Sequence, residues 1–141
     1  MSSVFGISTA GVLFALGLLH VYWAGGGRWG TDVTVPKQDG KPLFQPPSAG
    51  TLLVAILLFS AGLVVLGRLG LWGTALPRWV FVAGTWTLVA VFLGRVVGDF
   101  RWFGVFKRTR GTPFARWDTR LFVPLCLLLA LGCLVVAVSK R

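Results

Sequence analysis

Glutamate is absent from the sequence, and only four aspartates stand against 14 lysines and arginines. In a soluble protein that balance would suggest a nucleic-acid partner. Here the cations lie between or beside long apolar runs, where they set orientation and meet anionic headgroups, so nucleic-acid binding is not expected. Charged residues make up 13% of the chain, about half the ~25% usual in a soluble domain. One histidine, His20, cannot supply a multi-histidine metal site or a bis-histidine haem within one chain. Neither a metal nor a cofactor is expected. The two cysteines, Cys126 and Cys133, sit two helical turns apart, about 10 Å and beyond disulfide reach. They read as small apolar packing residues. Lack of a CxxC argues against disulfide exchange, and lack of an HExxH or a P-loop excludes the chemistries those motifs serve. No carboxylate falls in the middle of an apolar run, as a proton-coupled exporter would need, and no ion-channel filter is recognisable.

What is present is apolar length. Runs at about 5–24, 50–67, 79–98 and 121–138 each approach the roughly 20 residues that carry a helix across ~30 Å of hydrocarbon. The expected class is all-α membrane, a four-helix transmembrane bundle forming a single domain over residues 1–141. The first run has no Lys or Arg ahead of it and ends in bulky Tyr22-Trp23, so it is expected to remain as a span and not to be cleaved as a signal peptide.

The connections differ in length. Residues 25–49 form a longer first loop with four prolines and the turn pair Asp39-Gly40. Alternation over Thr31-Asp32-Val33-Thr34-Val35 suggests a short strand, and Lys37 to Lys41 the turn of a small hairpin. The third loop, 99–118, interleaves cations with aromatics and suits the headgroup layer. Asp118-Thr119 is expected to cap the fourth helix, and Pro124 to bend or break it.

The first and third loops share one face and carry nine cations: Arg28, Lys37, Lys41, Arg101, Lys107, Arg108, Arg110, Arg116 and Arg120. The opposite face carries four: Arg68, Arg78, Lys140 and Arg141. The excess of positive charge places the loops in the cytoplasm and both termini outside.

Charge inside a bilayer is costly, so ionisable groups in or near the spans are functional candidates. His20 lies about one turn below the end of the first helix, and Arg95 and Asp99, four apart, are placed to stack and pair. Asp118 opens the fourth helix on the same face, flanked by Arg101 and Arg116. These residues describe a polar pocket open toward the basic face. In it His20 would give or take a proton, Arg95 would hold an anionic or carbonyl group, and the two aspartates would orient them. Tyr22, Trp23, Trp86 and Trp102 would wall a flat apolar ligand. The alternative is structural: Arg95 snorkels to the interface, Asp99 neutralises it, Asp118 only caps, and His20 ties the first helix to a neighbour.

Three segments carry a resemblance. They are Leu19-His20-Val21-Tyr22-Trp23-Ala24 with the following Gly25-Gly26-Gly27-Arg28-Trp29-Gly30, then Asp99-Phe100-Arg101-Trp102-Phe103-Gly104-Val105-Phe106-Lys107-Arg108, then Phe114-Ala115-Arg116-Trp117-Asp118-Thr119 running on to Pro124-Leu125-Cys126-Leu127. Together they resemble a family of small bacterial four-helix membrane proteins catalogued as a domain of unknown function. The resemblance implies the four-helix architecture and that the three segments belong together. It implies no reaction.

The expected function is binding of a lipophilic molecule (lipid, quinone or isoprenoid) in a pocket near the cytoplasmic leaflet, with any transformation of it left open. Anionic lipid headgroups are expected partners at the basic face. The alternatives are an accessory subunit of a larger membrane complex and a small homodimeric transporter.

Overall fold

Apolar side chains all round a helix leave it nowhere to sit in water, and four such helices make up most of this molecule. A computed structural model describes residues 1–139. Lys140 and Arg141, which entered the charge count above, lie outside the described residues. The spans are α1 (Ser2–Ala24), α3 (Ser48–Arg68), α4 (Arg78–Val97) and a fourth, Pro113–Val138. Each is long and apolar enough to cross a membrane. No more than about a third of each span is buried against the others. The remainder exposes Leu18, Leu53, Leu57, Val91, Leu128 and Leu131. A soluble bundle would present polar groups there, whereas hydrocarbon accepts these side chains without penalty. The protein is a multi-pass membrane protein.

The helices pack in a ring, with α1 against α3, α3 against α4, α4 against the last span and the last span back against α1. Their shared core is Ala10, Leu13, Ala61, Val65, Val89, Leu129, Cys133 and Val136. Small residues let the backbones approach, as is usual where no water drives helices together. A Cβ added at Gly62 would lie 2.6 Å from the Phe14 ring, and one at Gly132 would collide with the Thr9 hydroxyl. At the end away from the long loops, Arg68 Nη2 donates to the carbonyls of Ala137 (3.3 Å) and Ser139 (2.6 Å), tying α3 to the end of the fourth span.

The first loop departs from expectation in one place. Thr31–Thr34 is a single helical turn, α2, where alternation suggested a strand. Gly30 (φ 79°) turns the chain just before it, and the Thr31 hydroxyl donates back to the Arg28 carbonyl. These local bonds outweigh a five-residue alternation. The hairpin itself is present. β1 (Lys37–Gln38) pairs antiparallel with β2 (Lys41–Pro42) across Asp39-Gly40, both with positive φ (51° and 76°), as a tight two-residue turn demands.

The fourth span starts earlier than expected. α5 (Pro113–Trp117) opens on Thr112, whose hydroxyl accepts from the Ala115 N–H, and Pro113 takes the first helical position. Asp118–Phe122 is a wider π turn, after which α6 (Val123–Val138) continues. Pro124 accounts for the irregularity. It has no N–H for the Arg120 carbonyl four residues back, and its ring would crowd that carbonyl in a regular helix. Widening the turn directs Val123 N–H to the Asp118 carbonyl. So the break falls ahead of Pro124, on the residues that carry Asp118 inward.

Candidate functional site

Asp118 is the centre of the loop-bearing end. It is fully buried, so it cannot serve as a solvent-facing helix cap, and Thr112 takes that task. Its Oδ1 accepts from Arg95 Nη2 at 2.8 Å. Its Oδ2 accepts from Lys107 Nζ at 3.0 Å and from the Gly104 N–H at 2.8 Å. Lys107, also buried, spends its other protons on the Gly104 carbonyl (3.1 Å) and the Thr119 hydroxyl (2.6 Å). One carboxylate therefore answers two cations, and the cluster keeps a net positive charge. This geometry depends on a backbone crossing. Gly98 and Gly104 touch so closely that a Cβ on either would strike the other's backbone, and both have positive φ (86° and 91°). Only glycine fits both demands. The crossing is closed by Val105 N–H donating to the Val96 carbonyl at 2.8 Å.

Asp99 does not pair with Arg95. α4 ends at Val97 and Gly98 swings the chain away, so the four-residue spacing no longer stacks the two side chains. Asp99 Oδ1 instead accepts the backbone N–H groups of Arg101 (2.9 Å), Trp102 (2.7 Å) and Phe103 (3.1 Å), holding Phe100 in the left-handed region at φ 63°. Partial desolvation would raise its pKa, but the N–H groups of Phe103, Arg101 and Trp102 outweigh it and hold the carboxyl below its ordinary value. The partner expected for Asp99 is thus taken by Asp118. Arg95 also lays its guanidinium on the Phe103 ring, 4.4 Å from the centroid. Its Nη1 is buried and has no hydrogen-bond partner among the described residues.

At the end of α1, His20 Nδ1 lies 2.8 Å from the Leu16 carbonyl. A carbonyl only accepts, so Nδ1 carries a proton, and in the neutral ring Nε2 is an acceptor. The His20 ring meets the Trp23 ring edge-on at 5.0 Å. Trp23 Nε1 donates to the Trp29 carbonyl (2.8 Å) and the Trp29 N–H donates to the Tyr22 hydroxyl (3.3 Å), so the Gly25-Gly26-Gly27 turn is folded back on its helix.

Between these groups lies a chamber of about 550 Å³. His20 and Trp23 of α1, Trp29 and Thr34 of the first loop, Arg95 of α4, and Trp117, Leu121 and Cys126 of the fourth span line it. The structure therefore brings His20, Trp23 and Arg95 onto one cavity, with Asp118 directly behind Arg95. Tyr22, Asp99 and Arg101 lie elsewhere, Arg101 stacking over Trp102 at 5.1 Å. Trp86 is exposed on α4, and Arg116 lines a separate groove. Lys107, Trp29 and Trp117 join the site without having stood out in the sequence. Nothing in a run of loop cations distinguishes Lys107 from Arg108, because burial against Asp118 is decided by the Gly98–Gly104 crossing.

A multi-pass four-helix membrane protein in which half-buried Arg95 and buried Lys107 converge on buried Asp118 beside a chamber is the class that fold and site define. The family described as "Protein of unknown function (DUF3995)" matches residues 13–133, and the chain belongs to it. Neither a curated protein nor a solved structure matches the chain.

Proposed function

We propose that the protein binds a lipophilic molecule bearing a polar oxygen, such as a lipid, quinone or isoprenoid, in the chamber at its loop-bearing end. The observation that carries this reading is Arg95. Arg95 lines a chamber whose other walls are mostly apolar and aromatic, and its Nη1, closed in by neighbouring protein atoms, has no acceptor among the described residues. An unsatisfied buried donor costs about 1–3 kcal/mol, and a ligand carbonyl or phosphate oxygen in the chamber would relieve it once the guanidinium turns toward that oxygen. His20 Nε2 offers the complementary acceptor for a ligand hydroxyl. The volume falls in the range of small-molecule sites. The site needs no metal in this reading.

The loop-bearing end is assigned to the cytoplasm. Nine loop cations oppose four at the other end, Arg68, Arg78, Lys140 and Arg141.

Native mass spectrometry of gently extracted protein tests the binding. An apolar adduct should accompany wild type and be lost in Leu121→Trp, which fills the chamber from its exposed wall. Wild type free of adduct in both mild detergent and nanodiscs would refute the reading. A stoichiometric larger protein partner occupying the chamber would replace it with the subunit alternative.

A further inference from the structure

Beside the cluster lies a second groove of about 320 Å³, lined in part by Gly104 and Lys107. Its walls include Val105, Lys107, Arg110, Arg116, Arg120 and Val123. Lys107 is buried, its three protons already spent on Gly104, Asp118 and Thr119. Arg110, Arg116 and Arg120 have no ion-pair or hydrogen-bond partner among the described residues, whose salt bridges are Lys37–Asp32, Arg95–Asp118 and Lys107–Asp118. The described aspartates do not supply one. Of the four, Asp118 is saturated, Asp99 is committed to backbone N–H groups, and Asp32 and Asp39 belong to the first loop. Three arginines thus line one groove with no countercharge among the described residues.

The depth of this groove is set by helix length. The fourth span has 26 residues, about 39 Å at 1.5 Å per residue. Measured from Val138, about 30 Å of hydrocarbon is used up near Thr119. Arg120 then stands at the hydrocarbon edge and Arg116 one turn beyond it, at the level of lipid phosphates. Val105 and Val123 supply apolar walls on which a chain or glycerol unit can lie.

We infer that this groove is a phosphate site that prefers a phosphomonoester over a phosphodiester. Arginine is suited to the task because its planar fork can grip two phosphate oxygens at once. The preference follows from charge. A diester brings one negative charge to three uncompensated cations, whereas a monoester brings about −1.5 to −2 at neutral pH. The inference does not rest on occupancy of the chamber, since the two cavities share no arginine.

The test is titration of the full chain in mild detergent, followed by native mass spectrometry and thermal melting at constant ionic strength. Four probes are compared: phosphatidic acid (monoester), phosphatidylglycerol (diester), phosphatidylcholine and inorganic phosphate. Phosphatidic acid should bind most tightly and raise the melting temperature. Arg116→Gln and Arg120→Gln should each weaken it about tenfold, as loss of a charge-assisted hydrogen bond implies. Arg110→Gln serves as a further groove variant should either fail to fold, and Arg108→Gln, on the same loop but outside the groove, should leave binding unchanged. Stabilisation by inorganic phosphate with the same variant pattern would support the site and identify a soluble phosphate as its source, while response to the lipid alone would identify a headgroup. Equal binding of monoester and diester, or an Arg108→Gln loss as large as that of Arg116→Gln, would overturn the inference.

Discussion

Replacing Asp118 by asparagine removes one negative charge and almost nothing else. The amide matches the carboxylate in shape and can still accept from the Gly104 N–H or from one cation. What it cannot do is neutralise Arg95 and Lys107, now 2.8 and 3.0 Å away. At an effective dielectric near 20, each such attraction is about 6 kcal/mol before desolvation is counted. Desolvation of the carboxylate in wild type offsets part of this. Removing one member of a buried ionic cluster then leaves a net loss of about 3–5 kcal/mol. At roughly 2–4 °C per kcal/mol for a chain of this size, the melting temperature should drop by roughly 6–20 °C. Adding Lys107→Met removes the stranded cation. Asp118→Asn/Lys107→Met should therefore melt above Asp118→Asn alone, even though Lys107→Met by itself destabilises wild type. The assay is thermal unfolding of the three variants and wild type in one detergent. An Asp118→Asn shift under about 1 kcal/mol, or effects that simply add, would show that the cluster is not the ionic unit described.

Further outcomes follow from neighbouring contacts. Gly104→Ala, with φ 91° and a Cβ directed into Gly98, should cost at least about 2 kcal/mol and lower the yield of folded protein. Asp99→Ala should cost about 1 kcal/mol, as loss of a backbone cap does, whereas Asp99→Asn keeps an acceptor oxygen and should cost less. The folded Asp99 carboxyl titrates below its ordinary value of 3.8. Its charge therefore contributes stability in full above about pH 4, and that contribution is lost as pH falls through the lowered folded value. Melting curves of wild type should fall more steeply in acid than those of Asp99→Asn, and parallel curves would contradict the assignment. Arg68→Met should free the Ala137 and Ser139 carbonyls and speed hydrogen exchange at the end of the fourth span, with a loss of about 1–3 kcal/mol.

Much of the architecture could be read before any coordinates. A bilayer imposes both a length and an apolar composition on whatever crosses it, so four spans, their order and the sharing of one face by the two longer loops are legible from composition and spacing alone. The Asp39-Gly40 turn was equally legible, because positive φ at two successive positions restricts residue choice more than packing does. Gathering of His20, Arg95 and Asp118 at one end also follows from the positions of the runs. Pairing did not follow. A four-residue spacing proposes Arg95 with Asp99 only while the helix continues, and the helix stops at Val97. Where Asp118 points, which loop cation it buries and which aromatic rings wall the chamber depend on the Gly98–Gly104 crossing and the π turn ahead of Pro124. Those are contacts between segments distant in the chain. Hydrocarbon acts on each segment separately and leaves its mark in local composition, whereas ion pairs and cavities arise only once separate segments meet.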